Sequence, residues 1–122
     1  MPTIVHFDLP ADDPKRTKMF YEKLFNWKFK LVPEMQYYLI ETTDLDGKNG
    51  VGGGMGKRGS PEQRITNFIG VESVDDYLAK VETLGGKVMQ PKMVVPGRGY
   101  LAVCLDTEGN TFGLWEENKD SK

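Results

Sequence analysis

The chain has 122 residues and a formal net charge of −2, with 39% hydrophobic and 28% charged residues, a balance that fits one globular domain over residues 1–122 and argues against disorder. It has no basic patch to suggest a nucleic-acid partner, and no apolar run approaches the roughly 20 residues of a membrane span. The N-terminus enters a strand-like run without a basic leader, and the one cysteine, Cys104, cannot form an internal disulfide, so a cytoplasmic setting is expected.

Ile4–Leu9 reads as a first strand. Asp12-Asp13-Pro14 then reads as a helix cap followed by proline at the first helical position, where no N–H is needed. Thr17, Phe20, Tyr21, Leu24 and Phe25 recur at helical spacing and predict one apolar face, and Asn26 stands where a left-handed C-cap is expected. Three strand candidates follow: Trp27–Val32, Tyr37–Thr42 and Gly50–Met55. Residues 58–63 are polar and carry Pro and Gly, which marks a linker between a module at 1–57 and a second at 64–122. Ile65–Val71 is the next strand, and Ser73 caps a helix carrying Val74, Tyr77, Leu78, Val81 and Leu84 before Gly85-Gly86 stops it. Lys87–Met89, Tyr100–Leu105 and Thr111–Trp115 complete the second set of strands. Asp13 and Ser73, Tyr21 and Val81, Glu22 and Glu82, Leu24 and Leu84, and Asn26 and Gly86 all stand 60 positions apart. Cap, face and terminator therefore repeat in register, which predicts a duplicated βαβββ unit of class α+β. Two such units can close into a half-open eight-stranded barrel with outer helices and an inner cavity for a small ligand.

The strings Val5-His6-Phe7-Asp8-Leu9-Pro10, Phe20-Tyr21-x-x-Leu24-Phe25-x-Trp27, Leu84-Gly85-Gly86-Lys87-Val88 and Asp106-x-Glu108-Gly109-Asn110-x-Phe112-Gly113-Leu114-Trp115-Glu116 resemble the glyoxalase/bleomycin-resistance/dioxygenase (vicinal oxygen chelate) superfamily over nearly the whole chain. The resemblance implies strand-borne ligands for a divalent ion, about two per module, drawn from His, Glu and Gln. Carried over, the first position falls on His6, the second in Gly52-Gly53-Gly54 (taken as Gly53), the third near Asn67-Phe68 (taken as Phe68) and the fourth on Gly113. One position of the four keeps a ligand, so no family-type metal and no cofactor is expected. The resemblance also implies a homodimer.

The expected function is binding of a small apolar or aromatic organic molecule. His6, Asp8, Tyr38, Met55, Phe68, Tyr100 and Trp115 are the candidate ligand contacts, and no catalytic residue is assigned. The alternative is a metal-dependent lyase or dioxygenase of glyoxalase type using His6 in an unconventional site. Alternation places His6 and Asp8 on one face, and Glu116 on the opposite side of its strand from Gly113 and Trp115, where it reads as solvated. The side of Glu41 stays open. Gly50–Lys57 lacks the spacing of a phosphate loop. Pro96–Tyr100 reads as a plain turn, with a lid whose Arg98 meets an anion as the other option. Cys104 reads as a packed residue.

Overall fold

The computed structural model describes residues 2–122. Module one runs β1 (Thr3–Ala11), α1 (Pro14–Phe25), β2 (Lys28–Val32), β3 (Tyr37–Glu41) and β4 (Gly52–Lys57). Module two runs β5 (Thr66–Gly70), α2 (Val74–Thr83), β6 (Lys87–Val95), β7 (Gly99–Leu105) and β8 (Thr111–Glu117). The α+β class and the two βαβββ modules are as expected. The chain divides into two compact units, His6–Ile65 and Thr66–Lys122, the second joined by the start of β1 up to Val5.

Both modules share one wiring. The first strand lies parallel beside the last strand of its own module, and antiparallel pairs continue outward, β1-β4-β3-β2 and β5-β8-β7-β6. A parallel neighbour needs a long crossover, and each helix supplies it. The caps form as expected. Asp13 accepts from the Arg16 N–H and Ser73 from the Asp76 N–H, while Asn26 adopts the left-handed conformation at φ 60°. The hairpin turns match as well: Asp44 accepts from the N–H groups of Asp46 and Lys48, as Asp106 does from Glu108 and Asn110.

Each sheet half has a helix side and an open side. Under α1, Leu9, Ala11, Ile40 and Met55 are buried, with Phe7, Tyr21, Trp27, Phe29 and Tyr38 packed around them. Under α2, Val74, Ala102, Cys104 and Leu114 are buried. The expected apolar face of α1 is only partly used: Tyr21 stacks on Trp27, whereas Phe20 and Leu24 stay more than half exposed.

Two stretches differ from the sequence expectation. β6 extends to Val95 instead of stopping at Met89, because register shifts after Val88 and Gln90 absorb the irregularity around Pro91. A 3-10 turn at Pro33–Met35, ending in the left-handed Gln36, sets the start of β3.

Candidate ligand-binding site

Strand pairing fixes which residues of the two modules correspond. Leu9 lies opposite Met55 and Ile69 opposite Leu114, all on the helix sides. One step earlier, Asp8 lies opposite Gly54 and Phe68 opposite Gly113, on the open sides. Two expectations are thereby corrected. The residue matching Gly113 is Gly54, not Gly53, whose missing side chain would point instead into the Phe7 ring on the helix side. Phe68 matches Asp8, and the position matching His6 is Thr66, which stands seven residues before its helix cap as His6 does.

At Gly54 and Gly113 the space for a side chain is already filled. A Cβ on Gly54 would stand 1.8 Å from the Tyr37 hydroxyl oxygen. A Cβ on Gly113 would stand 2.1 Å from the Phe68 ring. Such approaches are impossible without displacing the ring, so glycine is required at both positions by close packing and not by turn geometry. Over Gly52, by contrast, no side chain comes near; the nearest atom to an added Cβ is the Ile40 carbonyl oxygen at 3.4 Å.

Tyr37 enters the open side of module one from β3 and passes over Gly56 and Gly54. Its hydroxyl donates to Asp8 Oδ1 and lies 3.2 Å from His6 Nε2. The hydroxyl has one hydrogen, and Asp8 takes it. The phenol oxygen must then accept from His6, which puts the His6 proton on Nε2. Burial pushes the His6 pKa down, with the Asp8 carboxylate opposing, so the imidazole is held neutral. Burial raises the Asp8 pKa, against the Tyr37 hydrogen bond and His6. Burial, reinforced by the Asp8 charge and hydrogen bond, raises Tyr37 far beyond the ordinary phenol range. The three groups form a chain, imidazole to phenol to carboxylate, that can hold a proton or orient a polar ligand atom.

The expected ligand contacts separate into two sets. His6 and Asp8 come together as the alternation implied, and Phe68 and Trp115 lie on the open side of module two, where the Trp115 indole covers Gly99. Tyr38, Met55 and Tyr100 are on the helix sides and are corrected as open-face contacts: Met55 is 0% exposed, Tyr38 packs with it, and Tyr100 packs in the second core with Lys92 over its ring. Glu41 falls on the open side, because its neighbour Ile40 is buried under α1. Glu116 takes the side expected but is not merely solvated; its carboxylate accepts from the Val74 N–H. Pro96–Arg98 is a turn, with the Arg98 N–H donating to Val95 O and Ser121 Oγ.

Sequence reasoning missed Tyr37. Both Leu39 and Ile40 are apolar, so the phase of β3 was not legible from the strand itself. The usable signal was Gly54, since a glycine within a strand calls for a large neighbour to fill its space.

Residues 3–114 match the family model described as "Glyoxalase/Bleomycin resistance protein/Dioxygenase superfamily". The chain belongs to this superfamily. It is 31% identical over 118 residues to "Putative glyoxylase CFP32" of Mycobacterium bovis, covering 92% of this chain and 44% of that protein. It is 29% identical over 126 residues to "Anthracycline biosynthesis protein DnrV" of Streptomyces peucetius, covering 91% and 46%. The chain thus spans less than half the length of these relatives. Its fold is shared with a superfamily member from Vibrio splendidus 12B01, at TM-score 0.68 and 12% identity, with 97% of this chain and 100% of that one covered. Among the described residues, no group of three or more His, Cys, Asp or Glu is placed to hold a metal ion, and no helix is long and apolar enough to cross a membrane.

Proposed function

We propose that this superfamily member binds a small apolar or aromatic organic molecule without a family-type metal ion. The observation that carries the reading is the pair of filled glycine positions. At Gly54 and Gly113 a ring occupies the volume a ligating side chain would need, and Thr66 stands where a second histidine would be wanted. The residues present therefore do not fit the family's ion. Module one, taken by itself, offers a polar ligand atom the His6–Tyr37–Asp8 chain, beside the space above Gly52. Module two, taken by itself, offers an apolar ligand the rings of Phe68 and Trp115. The protein acts as a cytoplasmic homodimer, a setting that the single buried thiol of Cys104 suits.

The test is titration with an environment-sensitive aromatic dye, read by the dye's own emission, with and without chelator. Saturable binding indifferent to chelator is expected, weakened about 10-fold by Trp115→Ala, as loss of one aromatic anchor implies. The competing reading is a metal-dependent lyase or dioxygenase using His6, favoured by the neutral state in which burial holds the imidazole, since that is the ligating form. A stoichiometric Ni, Zn, Fe or Mn that copurifies and is lost in His6→Ala would establish it and sink the metal-free proposal.

A further inference from the structure

The linker carries a second feature that the His6–Tyr37–Asp8 face does not use. Residues 58–64 fold back on themselves: the Gly59 N–H donates to the Gln63 side chain, and the Gln63 N–H to the Ser60 carbonyl. The Arg58 N–H donates to the Ala11 carbonyl, which ties the loop to the end of β1. Between loop and strand end lies an open groove of about 610 Å³, lined by Asp12, Arg58, Gly59, Ser60, Pro61 and Arg64. That is enough room for a small molecule.

The loop brings its two arginines together. Arg58 Nη1 and Arg64 Nη1 both donate to one acceptor, the Gln63 carbonyl oxygen. Arg58 Nε also meets Asp12 at 2.9 Å, and Arg64 Nη1 donates to the Pro61 carbonyl. Two guanidinium groups and one carboxylate therefore line the groove, a local positive excess on a chain whose formal charge is −2. Asp12 is largely exposed, so its hold on Arg58 is weak and open to competition. Guanidinium forks pair best with planar or tetrahedral oxyanions.

We propose that this groove is an anion site, taking a phosphate group of a small molecule between Arg58 and Arg64, with the Ser60 hydroxyl at its rim. Asp12 is the internal competitor that an incoming phosphate displaces from Arg58. None of the lining residues belongs to the His6–Tyr37–Asp8 face, so this site stands or falls independently of the ligand proposed there.

The sign of the Asp12 effect separates anion binding from a purely structural clamp. Inorganic phosphate is titrated at constant ionic strength, with chloride as the control and the Gly59 and Ser60 amide resonances as the readout. Saturable shifts with phosphate and none with chloride are expected. Arg64→Gln weakens the midpoint about 10-fold, and Asp12→Asn tightens it about 3-fold by removing the competitor. Arg64→Lys, which keeps the charge and the fold but loses the fork, falls between wild type and Arg64→Gln. Shifts that follow ionic strength alone, an unchanged midpoint in Arg64→Gln, or weaker binding in Asp12→Asn would each overturn the proposal.

Discussion

The two modules are built on the same strand pairing but fill it with different chemistry. On the helix side of module one, Phe7 on the first strand covers Gly53 on the last. In module two the residues standing in this register are Asn67 and Phe112, so the ring has moved to the other strand of the pair. On the open side, Tyr37 lies across Gly56 in module one, while the corresponding positions of module two hold Leu101 and Trp115. The ring has traded strands in each pair, so each pair still holds one ring. The strand that carries the ring can thus differ between the modules while each pair keeps one ring to fill its interior. One difference is not a trade. Phe68 fills the space over Gly113 from its own first strand, but the matching first-strand residue in module one is Asp8, and a phenol from β3 does the filling. The polar network follows from that single exchange.

The largest expected effect tests the equivalence itself. Met55 and Leu114 occupy matching positions, 0% and 3% exposed. Met55→Ala and Leu114→Ala should each cost about 2–5 kcal/mol of stability in urea titration, as buried large-to-small changes do. The two tryptophans fall one to a module, Trp27 and Trp115, so Trp→Phe backgrounds report each module separately. A loss below about 1 kcal/mol at one position, against the usual range, would show that the two cores are not equivalent.

Next comes the polar exchange. Tyr37→Phe leaves the ring over Gly54 but removes the donor to Asp8, stranding a half-buried carboxylate. A loss of about 1–3 kcal/mol is expected, with a further rise in the Asp8 pKa seen by carboxyl NMR. Adding Asp8→Asn, which removes the charge, should recover part of it. Strict additivity of the two changes would mean that the hydroxyl and the carboxylate do not interact.

How much of this was legible in the sequence differs by level. The duplication was readable because helix caps and terminators are local chemistry, and Asp13, Asn26 and Ser73 perform the capping or terminating roles their types imply. Strand ends were less readable: β4 begins at Gly52, not Gly50, and runs to Lys57, because pairing with β1 and β3 decides where it stops. The pairing of His6 with Asp8 followed from alternation alone. The sides of Tyr38, Met55 and Tyr100 did not, since an apolar residue in a strand fits either face until its partners are known.

The acid–base balance of module one makes a third test. His6 has a lowered folded pKa, so the unfolded chain binds more protons between that value and about 6.5, and its contribution to stability rises with pH across this window. Asp8 has a raised folded pKa, so its contribution is present below about 3.8 and is lost as pH rises through the folded value. Each slope is at most about 1.4 kcal/mol per pH unit. His6→Gln should abolish the rise toward pH 6.5 and leave the Asp8 decline. Because His6 is the one histidine, its imidazole resonances give the pKa directly, and a value at or above about 6.5 would contradict the burial seen around it.

The smallest effect concerns a helix end that only one module needs to satisfy. The position matching Val74 is Pro14, which has no N–H to donate. The position matching Glu116 is Lys57, two residues past Met55 as Glu116 is two past Leu114. Module two thus has a donor at the first position of α2 and a carboxylate on β8 that accepts from it at 2.9 Å; module one has neither. The carboxylate also complements the positive end of the helix dipole. Glu116→Ala should therefore cost about 0.5–2 kcal/mol, within the range for losing a helix-capping acceptor. Val74→Pro imports the module-one solution, and Ser73 already has the extended backbone that a following proline requires. Val74 is fully buried, so that change carries its own packing cost, and the informative quantity is the coupling. In the Val74→Pro background the cost of Glu116→Ala should fall to the residual dipole effect of a few tenths of a kcal/mol. An undiminished cost would mean that Glu116 stabilises α2 through something other than the Val74 N–H, and the proline and the carboxylate would no longer be two answers to the same unsatisfied donor.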